Sequence, residues 1–255
     1  MPDTTGLPVG IALVLGQLPY LLKGTFPDGP LAGAVLTLLM AVLACAGATV
    51  LGIVLAIVLE LAPPAMTRPL RALLAVLRAI PALMLIFWTY FLLPMLASVQ
   101  VGEVQTVILA LALIGAAYIA QTLGAGFAAI GRGQQQAALA LGLAPVQALW
   151  HIVLPQTLRA MLPSLANTWV SLNKDTSLAY IVGVTELSTI ATQANGRSMG
   201  YAAEVFAAVA VLYFLICFAI ESIAPILLAL RTIRPQAHVR TGIARMWRPA
   251  PPEAR

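Results

Sequence analysis

Charge is scarce in this sequence. Asp, Glu, Lys and Arg together make up 9% of its 255 residues, where a soluble domain carries about a quarter. A chain so poor in charge cannot cover itself with a hydrated surface. It also lacks the parts needed for several chemistries. No Gly-x-x-x-x-Gly-Lys loop is present to cradle a nucleotide phosphate, and Gly124-Ala125-Gly126 is without the third glycine of a dinucleotide fingerprint. The chain is therefore not expected to be its own ATPase, and no cofactor is expected in it. Cys45 and Cys217 each lie within an apolar run and match no metal-ligand spacing, so both read as small buried hydrophobes and no metal site is expected. The net charge of +5 could suggest nucleic acid, but the arginines fall in the gaps between apolar runs, where membrane-flanking charge sits.

What fills the sequence is apolar. With 61% hydrophobic residues and a mean hydropathy of +0.95, it reads as an all-α polytopic membrane protein. Taken in order, Leu7 to Leu22 is short for a span and broken by Gln17 and Pro19, and Met1-Pro2-Asp3 lacks the positive start of a signal peptide. It is expected to be a helix lying at the membrane surface within an external segment 1–30, with a sixth span as the alternative. Five spans are expected, at about 31–59, 79–97, 104–123, 165–192 (interrupted) and 202–230, forming a permease domain over 31–230. In the first, Ala44, Ala48, Gly52 and Ala56 recur every fourth residue, a stripe that lets another helix approach closely. Pro63-Pro64 ends that helix, and Arg68, Arg71 and Arg78 follow. The basic, proline-rich tail 231–255 has no apolar period and is expected to be disordered.

Two stretches stand out against this background. Gln134 to Leu141 holds good helix formers, Gly142 sits where a left-handed residue would end that helix, and Pro145 is placed to open another. Helix, tight turn and helix are expected between two membrane spans, in a loop of about 124–163 that is too polar to cross. The second stretch, Asn173-Lys174-Asp175-Thr176-Ser177, interrupts the fourth span. A Lys or Asp near the bilayer centre costs roughly 2.5 to 3.5 kcal/mol on insertion scales, which is tolerated only against protein or water. Adjacent helical residues point about 100° apart, so Lys174 and Asp175 are not expected to pair with each other. Each needs a partner on another helix, on another subunit or on a solute. A charge near the cytoplasmic boundary, with Lys174 reaching up to the headgroups, is the plainer alternative. Glu186 is expected near the outer interface, and Glu204 and Glu221 bracket the last span without an evident partner.

These stretches also carry a resemblance. Gln136-Ala137-Ala138, Gly142 and Ile152-Val153-Leu154-Pro155 resemble the "EAA" loop of membrane subunits of binding-protein-dependent ABC importers. Leu154-Pro155-Gln156-Thr157-Leu158-Arg159 and Lys174-Asp175-Thr176-Ser177-Leu178 are similar to the polar amino-acid permeases in particular. So are Leu18 to Gly24, Arg78 to Leu83 and Phe87 to Pro94. The resemblance implies a type I ABC importer permease fold, with the N-terminal interfacial helix and a cytoplasmic coupling helix beside the five spans. It implies a permease that pairs with a second, identical or similar one, a cytoplasmic ATPase dimer that holds the ATP and Mg, an external solute-binding protein, and a polar amino acid as cargo. The ATPase contact then falls on Gln134, Gln136, Ala137, Ala138, Gly142, Pro145 and Pro155, and the pathway on Asn173, Lys174, Asp175, Thr176 and Ser177. The chain departs from the family where Gln136 replaces the usual glutamate, and where Ala120 to Gly126 lacks the charges of Ala-Glu-x-x-Arg-Gly-Gly. In a heterodimer those losses would mark the less substrate-engaged half. An ion-coupled secondary transporter is the other reading; it needs inverted repeats and an acidic relay, for which only Asp175 and Glu186 are candidates.

With the coupling loop inside, the cytoplasmic side holds Arg68, Arg71, Arg78, Arg132, Arg159 and the arginines from Arg231 onward, against Lys23 and Arg197 outside. This bias gives a multi-pass protein of the bacterial inner membrane with its N-terminus out and its C-terminus in. Gly196-Arg197-Ser198-Met199-Gly200 fits a hydrolase nucleophile elbow, but it then lies across the bilayer from His151 and His238, so no base can reach it. A cysteine placed at Gly102 or Gly196 should react with an impermeant thiol reagent added outside, over a low background from Cys45 and Cys217, whereas one at Gly133 or Ala237 should not. Outside labelling at Gly133 would reverse the orientation.

Overall fold

The computed structural model describes residues 9–97, 101–130, 132–197 and 200–231. The start of the chain, the tail beyond 231, and Ser198 and Met199 of the elbow motif lie outside the described residues. Ten α-helices follow one another among them, and no strand is found there.

The frame is set by α2 (Gly33–Leu61) and α5 (Glu103–Ile130). They run parallel, because the backbone at Gly47, Gly52 and Gly115 lies against Ala112, Ile119 and Ala48 respectively. The four-residue stripe is the contact: Ala44, Ala48 and Ala56 are almost wholly buried, and so is Gly52. A Cβ added to Gly52 would stand 2.6 Å from Ile119 Cγ2 and 3.1 Å from the Ala116 carbonyl, and one on Gly115 would stand 2.7 Å from both Ala48 Cβ and Leu172 Cδ1. Only small residues allow two helix backbones to lie this close.

Helix α3 (Pro64–Ala79), which follows Pro63-Pro64, is an element the sequence was not expected to form; it packs on α5 through Leu74 and turns by 105° into α4 (Ala82–Ala97). The break falls at Pro81, whose predecessor is steered away from the helical region. Beyond α5 come α6 (Arg132–Ala140) and α7 (Pro145–Ala148), then a π-helical turn over Leu149–Val153 and α8 (Leu154–Asp175). Within 124–163 the chain thus holds the end of one long helix, the helix–turn–helix and the start of another. A 3₁₀ segment (Thr176–Val182) leads to α9 (Leu187–Arg197) and α10 (Ala202–Arg231). The N-terminal helix α1 (Val9–Lys23) rests against α2, α9 and α10, with Leu21 fully buried and the Arg197 guanidinium 4.7 Å over the Tyr20 ring.

Among the described residues, three helices are long and apolar enough to cross a bilayer, α2, α5 and α10, with a fourth span if the bent α3–α4 pair counts as one. The expected five also need α4, apolar throughout but only 16 residues long, and α8, which carries Arg159, Asn173, Lys174 and Asp175. Helix α8 packs on α5, α10 and α2 with one side, which buries Asn173, and leaves Arg159 and Lys174 exposed on the other. The fold is that of an all-α polytopic membrane protein.

Because the stripe sets the spacing of α2 and α5, Gly52→Leu should destabilise the chain by about 1 to 3 kcal/mol, the usual range for overpacking. Gly124→Leu, where a Cβ would meet nothing within 4 Å, should not. Thermal unfolding of the two variants in one detergent checks this, and equal midpoints would contradict it.

Candidate functional site: a coupling turn joined to a charged break

The turn after α6 closes as a Schellman motif. Leu143 N donates to the Ala138 carbonyl at 3.2 Å and Gly142 N to the Leu139 carbonyl at 2.9 Å, with Gly142 at φ +85°. This is the left-handed residue expected at that point, and glycine adopts it without the steric cost that other residues bear. Pro145 opens α7 at a position where its missing N–H is not needed, and Ala144 N donates to Gln147 Oε1 at 3.0 Å. Ala138, Ala148 and Leu149 are buried where α6 folds back on the second helix. The opposite side is exposed: Gln134, Gln136 and Ala137 face solvent, as do Leu139, Val146, Trp150 and Leu141, the last 83% exposed.

From Pro145 the chain does not break again before Asp175. Pro155 cannot donate to the helix ladder, and just ahead of it the helix widens into the π turn, with Leu154 N donating to the Leu149 carbonyl. Gln156 Nε2 returns a donor to the Ile152 carbonyl at 2.9 Å. The result is one rod, about 45 Å long at 1.5 Å per residue, with the exposed turn at one end and the polar break at the other.

The break lies well inside the fold. Leu172 touches Gly115, in the middle of α5, and Gly115 meets Ala48, in the middle of α2, so Asn173 to Ser177 stand level with the centre of both helices. Their side chains compete for the backbone: Thr176 Oγ1 donates to the Asn173 carbonyl at 2.7 Å and Ser177 Oγ to the Lys174 carbonyl at 2.8 Å, where the α-helix gives way to the 3₁₀ segment. Asn173 and Thr176 are fully buried; Asn173 Nδ2 lies 3.4 Å from Cys217 Sγ, and its Oδ1 has no partner among the described residues.

Lys174 and Asp175 point into different clefts. Lys174 lines one of about 610 Å³ between α8 and α10, together with Ser177, Ser188, Tyr213, Cys217 and Glu221. Asp175 lines one of about 500 Å³ against the α3–α4 bend, together with Arg78, Tyr118, Asn167, Thr168 and Ser171. Each charge shares its cleft with one residue of opposite sign, Glu221 or Arg78, without an ion pair forming among the described residues. Sequence reasoning did not link these residues, because their partners are far away along the chain and no periodicity connects them.

Glu186 lies beside Gly33 and Thr37 at the start of α2, the end expected to face outward, but inside the protein. It is fully buried, and its carboxylate accepts hydrogen bonds from Ser188 N and Thr189 N at 2.8 Å, from Thr189 Oγ1 at 3.1 Å and from Tyr213 OH at 3.0 Å. Leu187 N donates to Thr37 Oγ1 at 3.0 Å. Glu186 therefore caps α9 and ties it to α10, while Thr37 ties it to α2; a carboxylate so fully bonded is a joint, not a free relay.

Residues 48–230 match the model of a family described as the binding-protein-dependent transport system inner membrane component. A glutamine transport system permease protein of Escherichia coli (strain K12) is 30% identical over 195 residues, 75% of this chain and 87% of its own. A probable glutamine ABC transporter permease protein of Bacillus subtilis (strain 168) is 32% identical over 160 residues, 62% of this chain and 73% of its own. Among solved structures, an amino acid ABC transporter with histidines superposes with a TM-score of 0.72 at 20% identity, covering 88% of this chain and 100% of the other. The MetNI methionine ABC transporter does so with a TM-score of 0.64 at 23% identity, covering 76% of this chain and 93% of the other. The chain belongs to the family of inner membrane components of binding-protein-dependent transport systems, and is a permease subunit of an ABC importer.

Proposed function

We propose that this permease carries polar amino acids, as the names of its relatives suggest, and that it is driven through its exposed turn. Two permeases, identical or similar, enclose the pathway. A cytoplasmic ATPase dimer holding ATP and Mg receives Gln134 to Pro155 of each permease. Gln134, Gln136, Ala137 and Ala138 lie on the first helix of that segment, and Gly142, Pro145 and Pro155 shape the turn and the second helix. An external solute-binding protein delivers the amino acid. The N-terminus with the surface helix α1 lies outside, and the basic tail 231–255 inside.

The observation that supports this most is the unbroken rod from Pro145 to Asp175. Alternating access needs a stiff element to carry the motion of a distant ATPase into the membrane. Here the element that exposes Val146 and Trp150 outside the spans, next to Leu141 in the turn, is continuous with the one that carries Asn173, Lys174 and Asp175 at their centre, with Thr176 and Ser177 just beyond. A tilt at the turn would move both charged clefts together.

A tagged chain should bring down an ATPase in stoichiometric amount, and the complex in vesicles should take up a polar amino acid only with its solute-binding protein and ATP. Uptake driven by an ion gradient without ATP would overturn the reading. In the same vesicles, Lys174→Ala and Asp175→Ala should each abolish uptake, and Asp175→Ala should also lower the yield of the permease pair. Loss of the Thr176 or Ser177 hydroxyl should be milder, since a neutral hydrogen bond contributes about 1 kcal/mol. Normal transport by both charge variants would remove the break from the pathway.

A Cβ at Gly142 meets nothing within 4 Å, so Gly142→Val acts through backbone strain alone, about 1 to 2 kcal/mol. It should leave membrane insertion intact and let ATP hydrolysis run without uptake; full coupling would show that the turn geometry is dispensable.

A further inference from the structure

Helix α3 has three distinct sides. Thr67, Leu70, Leu74 and Leu77 face the protein, packed around Ala117 and Ala120 of α5 and against α2. At 100° per residue Met66, Leu73 and Val76 fall on one flank, and each is half exposed or more, at 50%, 56% and 55%. Arg68 and Arg71 fall on the opposite flank, both exposed, and Arg78 lies at its edge, half-buried. A helix with water on both flanks has no use for the apolar one, and a helix within hydrocarbon could not keep the arginines. A helix lying in the interface uses both. The 105° bend into α4 agrees, because a helix set nearly at right angles to a crossing one lies close to the membrane plane.

The cationic flank is more than a row of exposed side chains. Arg71 and Arg78 converge with Gln121 and Glu60 on a cleft of about 330 Å³ between the ends of α2 and α3 and the side of α5. Arg71 has no ion-pair or hydrogen-bond partner among the described residues, and the Arg78 guanidinium makes one long bond, 3.4 Å to the Ala117 carbonyl. Helix α3 carries no acidic residue, so Glu60 is the one carboxylate facing two guanidiniums, and the cleft is net positive. Unsatisfied planar guanidiniums match the paired oxygens of a phosphodiester. The exposed Met66, Leu73 and Val76 on the opposite flank suit the acyl chains of a molecule that carries such a group.

We propose that α3 is an interfacial helix whose Arg71–Arg78 cleft holds the headgroup of an anionic phospholipid, in the leaflet at the C-terminal ends of α2 and α5. The lipid fills the gap between α3 and α5 with charge of the right sign and so fixes the α3–α4 bend. Arg78 bonds the Ala117 carbonyl near the middle of α5 and also lines the Asp175 cleft, so it meets the headgroup from the deep end of the cleft while Arg71 holds it nearer the rim, and lipid occupancy bears on the charged break as well.

Native mass spectrometry of the purified importer complex, extracted from vesicles containing equal phosphatidylglycerol and phosphatidylcholine, tests this. Phosphatidylglycerol should be retained preferentially. Arg71→Gln with Arg78→Gln should lower its retention about fivefold or more, the factor that one arginine near an anionic surface contributes. Arg159→Gln, on the exposed side of α8, should leave it unchanged. Equal retention of the two lipids by the wild-type complex would overturn the proposal, and so would a double variant that keeps its phosphatidylglycerol. If the double variant gives no folded protein, the selectivity of the wild-type complex decides alone. Inorganic phosphate added to the delipidated complex should not reproduce the rise in unfolding temperature given by phosphatidylglycerol; an equal rise would assign the cleft to a soluble anion and overturn the lipid assignment.

Discussion

The contact between Ala48 and Gly115, with Leu172 pressed into the same spot, is the one on which the rest of the fold depends. Two parallel helices approach this closely only because neither has side-chain bulk at the crossing. Their closeness leaves a groove on one side, and α8 fills it, with Trp169 Nε1 donating to Thr49 Oγ1 at 3.0 Å. With α10 and the 3₁₀ segment around its end, α8 buries Asn173 and half-buries Asp175, while Lys174 is exposed in its cleft. Charge at that depth is tolerated only against protein or water, so the exposed Lys174 needs a partner permease or a water-filled pathway beside it.

The same packing separates motion from support. Glu186, Thr37 and Tyr213 lock the start of α9 to α2 and α10 through buried hydrogen bonds, which makes that end of the molecule stiff. At the opposite end α6 packs on α7 and the π turn, whose Leu149 and Val153 join the core, while Leu141, Val146 and Trp150 find no cover among the described residues. On the proposed reading, the covered end is the support and the uncovered end is the input. Both charges of the break then lie in clefts whose far walls belong to other helices, Arg78 at the α3–α4 bend and Glu221 on α10, so a tilt of α8 changes both distances at once.

What was legible in the sequence was what depends on neighbours along the chain. The period of Ala44, Ala48, Gly52 and Ala56 announced a close helix contact, and glycine followed by proline three residues later announced the turn, because stripes and caps are local devices. The polar break was legible by its cost. Helix α3 was missed because Pro63-Pro64 reads as a stop, although proline at the first helical position is also a start. The beginning of α8 at Leu154 was missed because Pro155 and Pro163 argue against a helix there, although Pro155 stands in the first turn of α8, where the π turn ahead of it accommodates its missing N–H. The level of Glu186, near the outward end of α2, was legible, but its burial was not, since nothing near it in sequence reveals Tyr213 or Thr37. Arg78 and Glu221 as cleft-mates of Asp175 and Lys174 were hidden for the same reason: long-range pairing leaves no period.

The most direct test of the central claim, that a separate ATPase grips the exposed turn, is a photoreactive amino acid at Leu141, the most exposed apolar side chain of that turn. Irradiated in native membranes, it should cross-link to a cytoplasmic nucleotide-binding subunit, in a yield that changes when ATP is trapped, while the same probe at Phe214 on the outer face of α10 should not reach that subunit. Cross-linking of position 141 only to lipid, or to the solute-binding protein, would contradict the claim.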